Sequence, residues 1–214
     1  MRNKTIVGLA LTMLFFSAIK INAQTAFDKG TVVVTAGLGF PDLSRLTQAV
    51  VYNGYNGYSV HGFGPILIKG DYGIIKFKWG HSVGVGAVIG LSTTSITYNY
   101  TDPYYQNGNG WPNGVYTEKD SYTRITVGAR GTYHFFTKEK IDCYAGVGLG
   151  YIFNLNSQTT TDPRGIYNSA ASFPSIYESF TVGIRYYFTK NIGVYAEGGW
   201  DMSAPIQGGL AIKF

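Results

Sequence analysis

The chain has 214 residues, of which 45% are hydrophobic, 16% aromatic and only 14% charged, with a formal net charge of +5. Its one cysteine, Cys143, rules out an internal disulfide and speaks against a cysteine metal site. No basic stripe of the kind that nucleic-acid binding needs runs along it, so nucleic acid is not expected as a partner.

The first residues read as an export signal. Arg2 and Lys4 form a basic start, residues 6–18 are apolar, and Ile21-Asn22-Ala23 offers a small residue at the cut. Residues 1–23 are therefore expected to be a signal peptide, cleaved between Ala23 and Gln24. The apolar stretch is shorter than the roughly 20 residues of a spanning helix, and no cysteine marks a lipoprotein. Losing Arg2, Lys4 and Lys20 leaves 14 of 17 basic residues against 12 acidic ones, a mature charge of +2.

Residues 24–214 read as one domain. Alternation bounded by turn residues predicts strands near 30–40, 64–77, 82–97, 121–136, 141–155, 176–188, 192–201 and 205–214. The second breaks phase at Ile74-Ile75, as a bulge would. In the fifth, Ile141, Cys143, Ala145, Val147 and Leu149 oppose Asp142, Tyr144, Gly146 and Gly148. In the sixth, Phe180, Val182, Ile184, Tyr186 and Phe188 oppose Thr181, Gly183, Arg185 and Tyr187. The seventh sets Val194, Ala196 and Trp200 against Tyr195, Glu197 and Asp201, and the eighth sets Leu210, Ile212 and Phe214 against Gln207, Ala211 and Lys213. Long connections at 41–63, 98–120 and 156–175 alternate with short ones. This predicts an all-β fold, an eight-stranded antiparallel up-and-down transmembrane β-barrel with apolar residues outside and polar residues inside. A strand of about 11 residues at ~3.3 Å each, tilted ~40°, rises about 28 Å, enough for the ~25 Å apolar band.

The stretch 180–200, the terminal Phe214 and the plan of long and short connections resemble the small outer-membrane β-barrel family, which includes OmpA-like and OmpX-like barrels. The resemblance implies an outer-membrane location in contact with its lipid, periplasmic mature termini and a monomer. It also implies that the assembly machinery reads the final strand through Phe214. Nothing follows Phe214, so the peptidoglycan-binding domain of longer members is expected to be missing. The fold hosts many roles, and the resemblance carries architecture rather than activity.

The inward parity holds Lys69, Asp71, Arg124, Arg130, Asp142, Arg185, Glu197 and Lys213. These could line a narrow porin-like channel for small solutes, or they could pair and fill the lumen. Eight strands leave room for little more than side chains, which favours filling. Arg185 and Glu197 come within diagonal reach if Phe188 pairs with Ile192, and are the expected ion pair. His61, His81 and His134 have no nucleophile at a recognisable spacing, so no catalytic residue, metal site or cofactor is expected. Long loops carrying Tyr55, Tyr58, Tyr104, Tyr105 and Trp111 among Asn and Gly suit contact with a surface ligand. The reading is a non-enzymatic barrel with an envelope-structural or surface-contact role; the alternatives are the narrow channel and a lipid-modifying enzyme. An added Arg is expected to be costly at Val182, on the outer parity, and milder at Thr181.

Overall fold

Every backbone N–H and C=O in a strand needs a partner, and a sheet closed on itself leaves no edge. The computed structural model, which describes residues 25–101, 114–162 and 173–214, meets that demand with one closed barrel. Its strands are β1 (Val32–Phe40), β2 (Asn56–Lys76), β3 (Ser82–Thr101), β4 (Val115–Thr137), β5 (Ile141–Thr160), β6 (Ser175–Tyr187), β7 (Ile192–Asp201) and β8 (Ala204–Lys213). Each pairs antiparallel with its neighbours in sequence, and β8 closes on β1, where Phe214 donates its N–H to the Val32 carbonyl at 2.8 Å. The predicted signal peptide lies outside the described residues.

The period of two sorts side chains as the sequence predicts. Outward positions such as Leu38, Ile68, Ile89, Val127, Leu149, Val182 and Leu210 are exposed, while Lys69, Asp71, Thr126, Asp142, Thr181, Arg185 and Glu197 are buried inside. The β6–β7 register pairs Tyr187 with Gly193, and the β2–β3 register slips between Gly73 and Ile75, at the expected bulge. Thr181 corrects an expectation. It is only 3% exposed, in a lumen already filled by its neighbours, so an Arg there would be overpacked rather than well tolerated.

The strands are unequal. β2 to β5 run 20–23 residues, against 9–13 for β1 and β6 to β8. At ~3.3 Å per residue, the longer four stand roughly 30 Å above the short wall at the end opposite the chain termini, here the loop end. On β3 the outward residues change from apolar (Ile89, Leu91) to polar (Thr93, Ser95, Thr97) as it leaves the barrel. Part of the predicted loop 41–63 is instead the helix α1 (Leu43–Tyr52) followed by the first residues of β2. Asp42 caps α1, accepting from the Ser44 and Arg45 N–H groups, and the Leu43 N–H binds the Ser203 carbonyl in the β7–β8 turn. Arg45 donates to the Gly64 and Thr93 carbonyls, fixing the helix against the inner face of the tall wall.

Two apolar layers cross the interior. At the terminal end, the segment before β1 folds back under the barrel, the Ala26 N–H meeting the Lys138 carbonyl, and Ala26 and Phe27 pack on Val33, Tyr187 and Ala211. Toward the loop end, Leu67, Val88, Tyr177 and Met202 form the second layer. Met202 and Ser203, both at positive φ (47° and 63°), make the two-residue β7–β8 turn and send the Met202 side chain inward. Removing the Phe27 ring takes away the tail's largest buried apolar contact and leaves it the backbone bonds of Ala26 and Gly30 and the contacts of Lys76 with Asp28 and Lys213 with Thr25. The Phe27→Ala chain is expected to be cut by trypsin after Lys29 at least tenfold faster than the unchanged chain. Its barrel amides should keep their protection from hydrogen exchange, because local release does not need global unfolding.

Candidate functional site

Between the two apolar layers the interior is charged. Lys69 and Asp71 come from β2, Arg130 and His134 from β4, Asp142 and Tyr144 from β5, Arg185 from β6, Glu197 and Asp201 from β7, and Gln207 from β8. All are buried, and Arg185, His134, Tyr144 and Asp142 have no exposed surface. Charges taken out of water are tolerable only when paired and hydrogen-bonded, and the pairing here is continuous.

Lys69 has three ammonium donors and meets three acceptors: Glu197, Asp201 at 2.6 Å and the Gln207 amide oxygen at 2.7 Å. Glu197 also accepts from the Tyr144 hydroxyl at 2.7 Å and from Arg130 at 3.3 Å. Arg130 reaches Asp71 at 3.3 Å, Asp71 pairs with Arg185, and Arg185 reaches Asp142 at 3.2 Å. Asp142 then hydrogen-bonds His134 at 2.7 Å. From Asp201 to Asp142 the sign alternates at each step. The Tyr144 ring lies under Arg185, whose guanidinium carbon is 4.2 Å from the centroid. Gly183 makes room for this arrangement, since a Cβ there would stand 2.6 Å from the Tyr144 ring and 2.8 Å from Glu197.

Six of the eight inward charges expected from the sequence meet in this chain: Lys69, Asp71, Arg130, Asp142, Arg185 and Glu197; Lys213 lies at the terminal end, where it donates to the Thr25 carbonyl at 3.0 Å. Arg185 and Glu197 are not direct partners. Each finds opposite charges across the lumen, and Tyr144 lies between them. Arg124 sits apart, beyond the Met202 layer, where it donates to Ser44 at 2.6 Å, to Ser92 at 3.2 Å and to Asp42 at 3.4 Å. It braces the start of α1 rather than the network. The sequence reading missed Asp201, Tyr144, His134 and Gln207 as members, although all four lie on the inward parity.

Asp142, His134 and Thr132 are bonded in the order of a nucleophile triad, with His134 Nε2 3.0 Å from the Thr132 hydroxyl. The Phe27 ring stacks on the imidazole at 3.6 Å, and all three side chains are buried, so no substrate carbonyl could approach. The arrangement serves packing.

At the loop end, Tyr52, Tyr55 and Tyr98 pack together with centroids 5.0–5.7 Å apart. Beside them burial and the neighbouring Glu118 carboxylate hold the Asp120 carboxyl above its usual range. Tyr55 thus joins a local aromatic cluster, and Tyr58 is half-buried at the start of β2. Tyr104, Tyr105 and Trp111 lie outside the described residues. Among the described residues no group of His, Cys, Asp and Glu is disposed to hold a metal.

No family model matches the chain, and no curated protein sequence matches it. Among solved structures it is similar to the N-terminal β-barrel domain of Pseudomonas aeruginosa OprF, at 13% identity over 90% of this chain and 98% of that one, with a TM-score of 0.35. It is similar also to Ail, the attachment invasion locus protein of Yersinia pestis in complex with the heparin analogue sucrose octasulfate, at 11% identity over 86% and 97%, with a TM-score of 0.32.

Removing one partner from a buried pair strands the other, at a cost of about 3–5 kcal/mol. Glu197→Leu is expected to lose stability on that scale. Lys69→Met combined with it should lose less than the two single changes added together, because Lys69 is no longer left facing an apolar group. Urea titration of the four proteins in detergent measures the coupling, and additive losses would contradict the pairing.

Proposed function

We propose that this chain is an integral outer-membrane barrel with both mature termini in the periplasm, acting as a monomeric surface-contact protein without enzymatic activity and without a conducting lumen. The observation that carries the location is the inverted barrel: apolar residues ring the outside and charges fill the inside. Leu38, Ile89, Leu149, Val182, Ile206 and Leu210 are each at least half exposed on the outer face. A belt of that extent is suited to acyl chains and not to water. Rings of aromatic residues bound it, with Trp79, Tyr133, Phe135, Tyr186 and Phe188 toward the terminal end and Phe40, Phe63 and Trp200 toward the loop end.

The surface-contact role is supported by the tall wall. β5 pairs with β6 only as far as Ile152; residues 155–160 are paired with β4 on one side and have no strand partner on the other among the described residues. Such an edge can accept an extended segment of another protein through backbone hydrogen bonds. Beside it, α1 turns Leu46, Val50 and Val51 outward, exposed by 52–77%. A channel is disfavoured because the network and both apolar layers occupy the lumen. Catalysis is disfavoured because the Asp142-His134-Thr132 series is sealed.

Folding into bilayers tests the location. Val182→Arg should cost about 2–4 kcal/mol in lipid vesicles if that position is near the midplane. Thr97→Arg, beyond the apolar belt, should stay within about 0.5 kcal/mol, as surface changes do. In whole cells, a cysteine placed at Thr159 in a Cys143→Ala chain should react with an impermeant maleimide. One placed at Lys190 should not react until the cells are opened. Equal costs at the two arginines, or reversed labelling, would defeat the proposal.

A further inference from the structure

Where α1 leans on the tall wall, it leaves a cavity of about 330 Å³, lined by Ser44, Gln48, Thr94, Tyr122, Arg124, Asn154, Asn156 and Phe173. That volume is at the small end of ligand pockets. It stands outside the Met202 layer, so it is separate from the buried charge network.

The lining has a particular chemistry. Three carboxamides, two aliphatic hydroxyls and a phenol converge on it, and each can both donate and accept a hydrogen bond. The one cation among the described lining residues, Arg124, is already matched by Asp42, and none of those residues is a carboxylate. The Oε1 of Gln48 is buried and accepts no hydrogen bond among the described residues, so it calls for a donor from an occupant. Phe173 is 78% exposed and offers an apolar ring. A phosphorylated or sulfated ligand would find no uncommitted cation among the described lining residues, and an acyl chain would leave the Gln48 Oε1 without a donor. A ring carrying several adjacent hydroxyls matches both features, for vicinal hydroxyls pair with a carboxamide through one donated and one accepted bond while the C–H face rests on an aromatic ring.

We propose that this cavity is a binding site for a single neutral sugar ring, reading it through Gln48 and Asn156. Arg124 holds the floor by fixing α1 to the wall. The inference deepens the surface-contact reading by naming a ligand class, and it rests on that reading only for the side of the membrane on which the sugar is met.

The test is saturation-transfer NMR on the full barrel in amine-oxide micelles, whose detergent carries no sugar. The probes are glucose, galactose, mannose and N-acetylglucosamine. At least one is expected to give a saturable signal by about 10 mM, where a site of ~1 mM affinity is mostly filled. Gln48→Met and Asn156→Leu should each weaken that signal at least tenfold while the heat-modifiable gel shift of the folded barrel is retained. Silence from every probe would overturn the proposal, as would a signal unchanged in both variants. Neither outcome depends on membrane orientation, so either leaves the surface-contact proposal standing. Repeating the titration in nanodiscs with and without lipopolysaccharide assigns the source: competition supports the site and identifies the membrane's own glycolipid, whereas an undiminished signal supports it and identifies a glycan met outside.

Discussion

An eight-stranded barrel encloses a space only wide enough for side chains, and half of every strand must point into it. If the outer half is apolar, the inner half inherits most of the polar residues, and those that are charged have little water around them. The interior of this protein is organised by that constraint. Asp201, Lys69, Glu197, Arg130, Asp71, Arg185 and Asp142 alternate in sign from β7 to β5, and every link joins different strands. Each charge has at least two partners, so the network ties the wall together across the lumen as the backbone ladder ties it around the circumference.

The two ends of the barrel follow from the same constraint. A buried network is maintained by keeping bulk water from it, and apolar groups do so above and below: Phe27 under His134, and Met202 with Leu67, Val88 and Tyr177 over Lys69. Met202 takes up a backbone conformation unusual for its type, of a kind that costs about 1–3 kcal/mol. Its side chain fills the space beside Gly90, where a Cβ would meet its sulfur. The start of α1 ties into the same turn through the Ser203 carbonyl, so the helix, the turn and the Met202 layer are joined. Beyond it the tall wall is free of lumen constraints, and its faces turn polar.

Much of this was legible in the sequence because a two-residue period is unambiguous wherever one face is apolar. All eight strands, the bulge at Ile75 and the inward placement of six network charges follow from parity alone. The parity signal fails where both faces become polar. The reading of β3 stops at residue 97 and that of β5 at 155, short of Thr101 and Thr160, while β2 and β4 are read as starting at 64 and 121 rather than at Asn56 and Val115. The helix was hidden in a long connection, although Asp42 followed by Leu43-Ser44 is an N-cap signal. Partner choice was the least legible part. Register places Glu197 diagonal to Arg185, but across a narrow lumen Lys69 and Arg130 approach it from β2 and β4, and no pairing between neighbouring strands contains that information.

The central claim is that the matched charges and the two apolar layers make the lumen a packed core and not a path. Single-channel recording of the folded barrel in a planar bilayer tests it most directly. The account predicts a current indistinguishable from the bare membrane, with no sustained openings under applied voltage of either sign. A steady ohmic conductance whose ion preference reverses in Glu197→Lys would show a continuous water path past the network and contradict it.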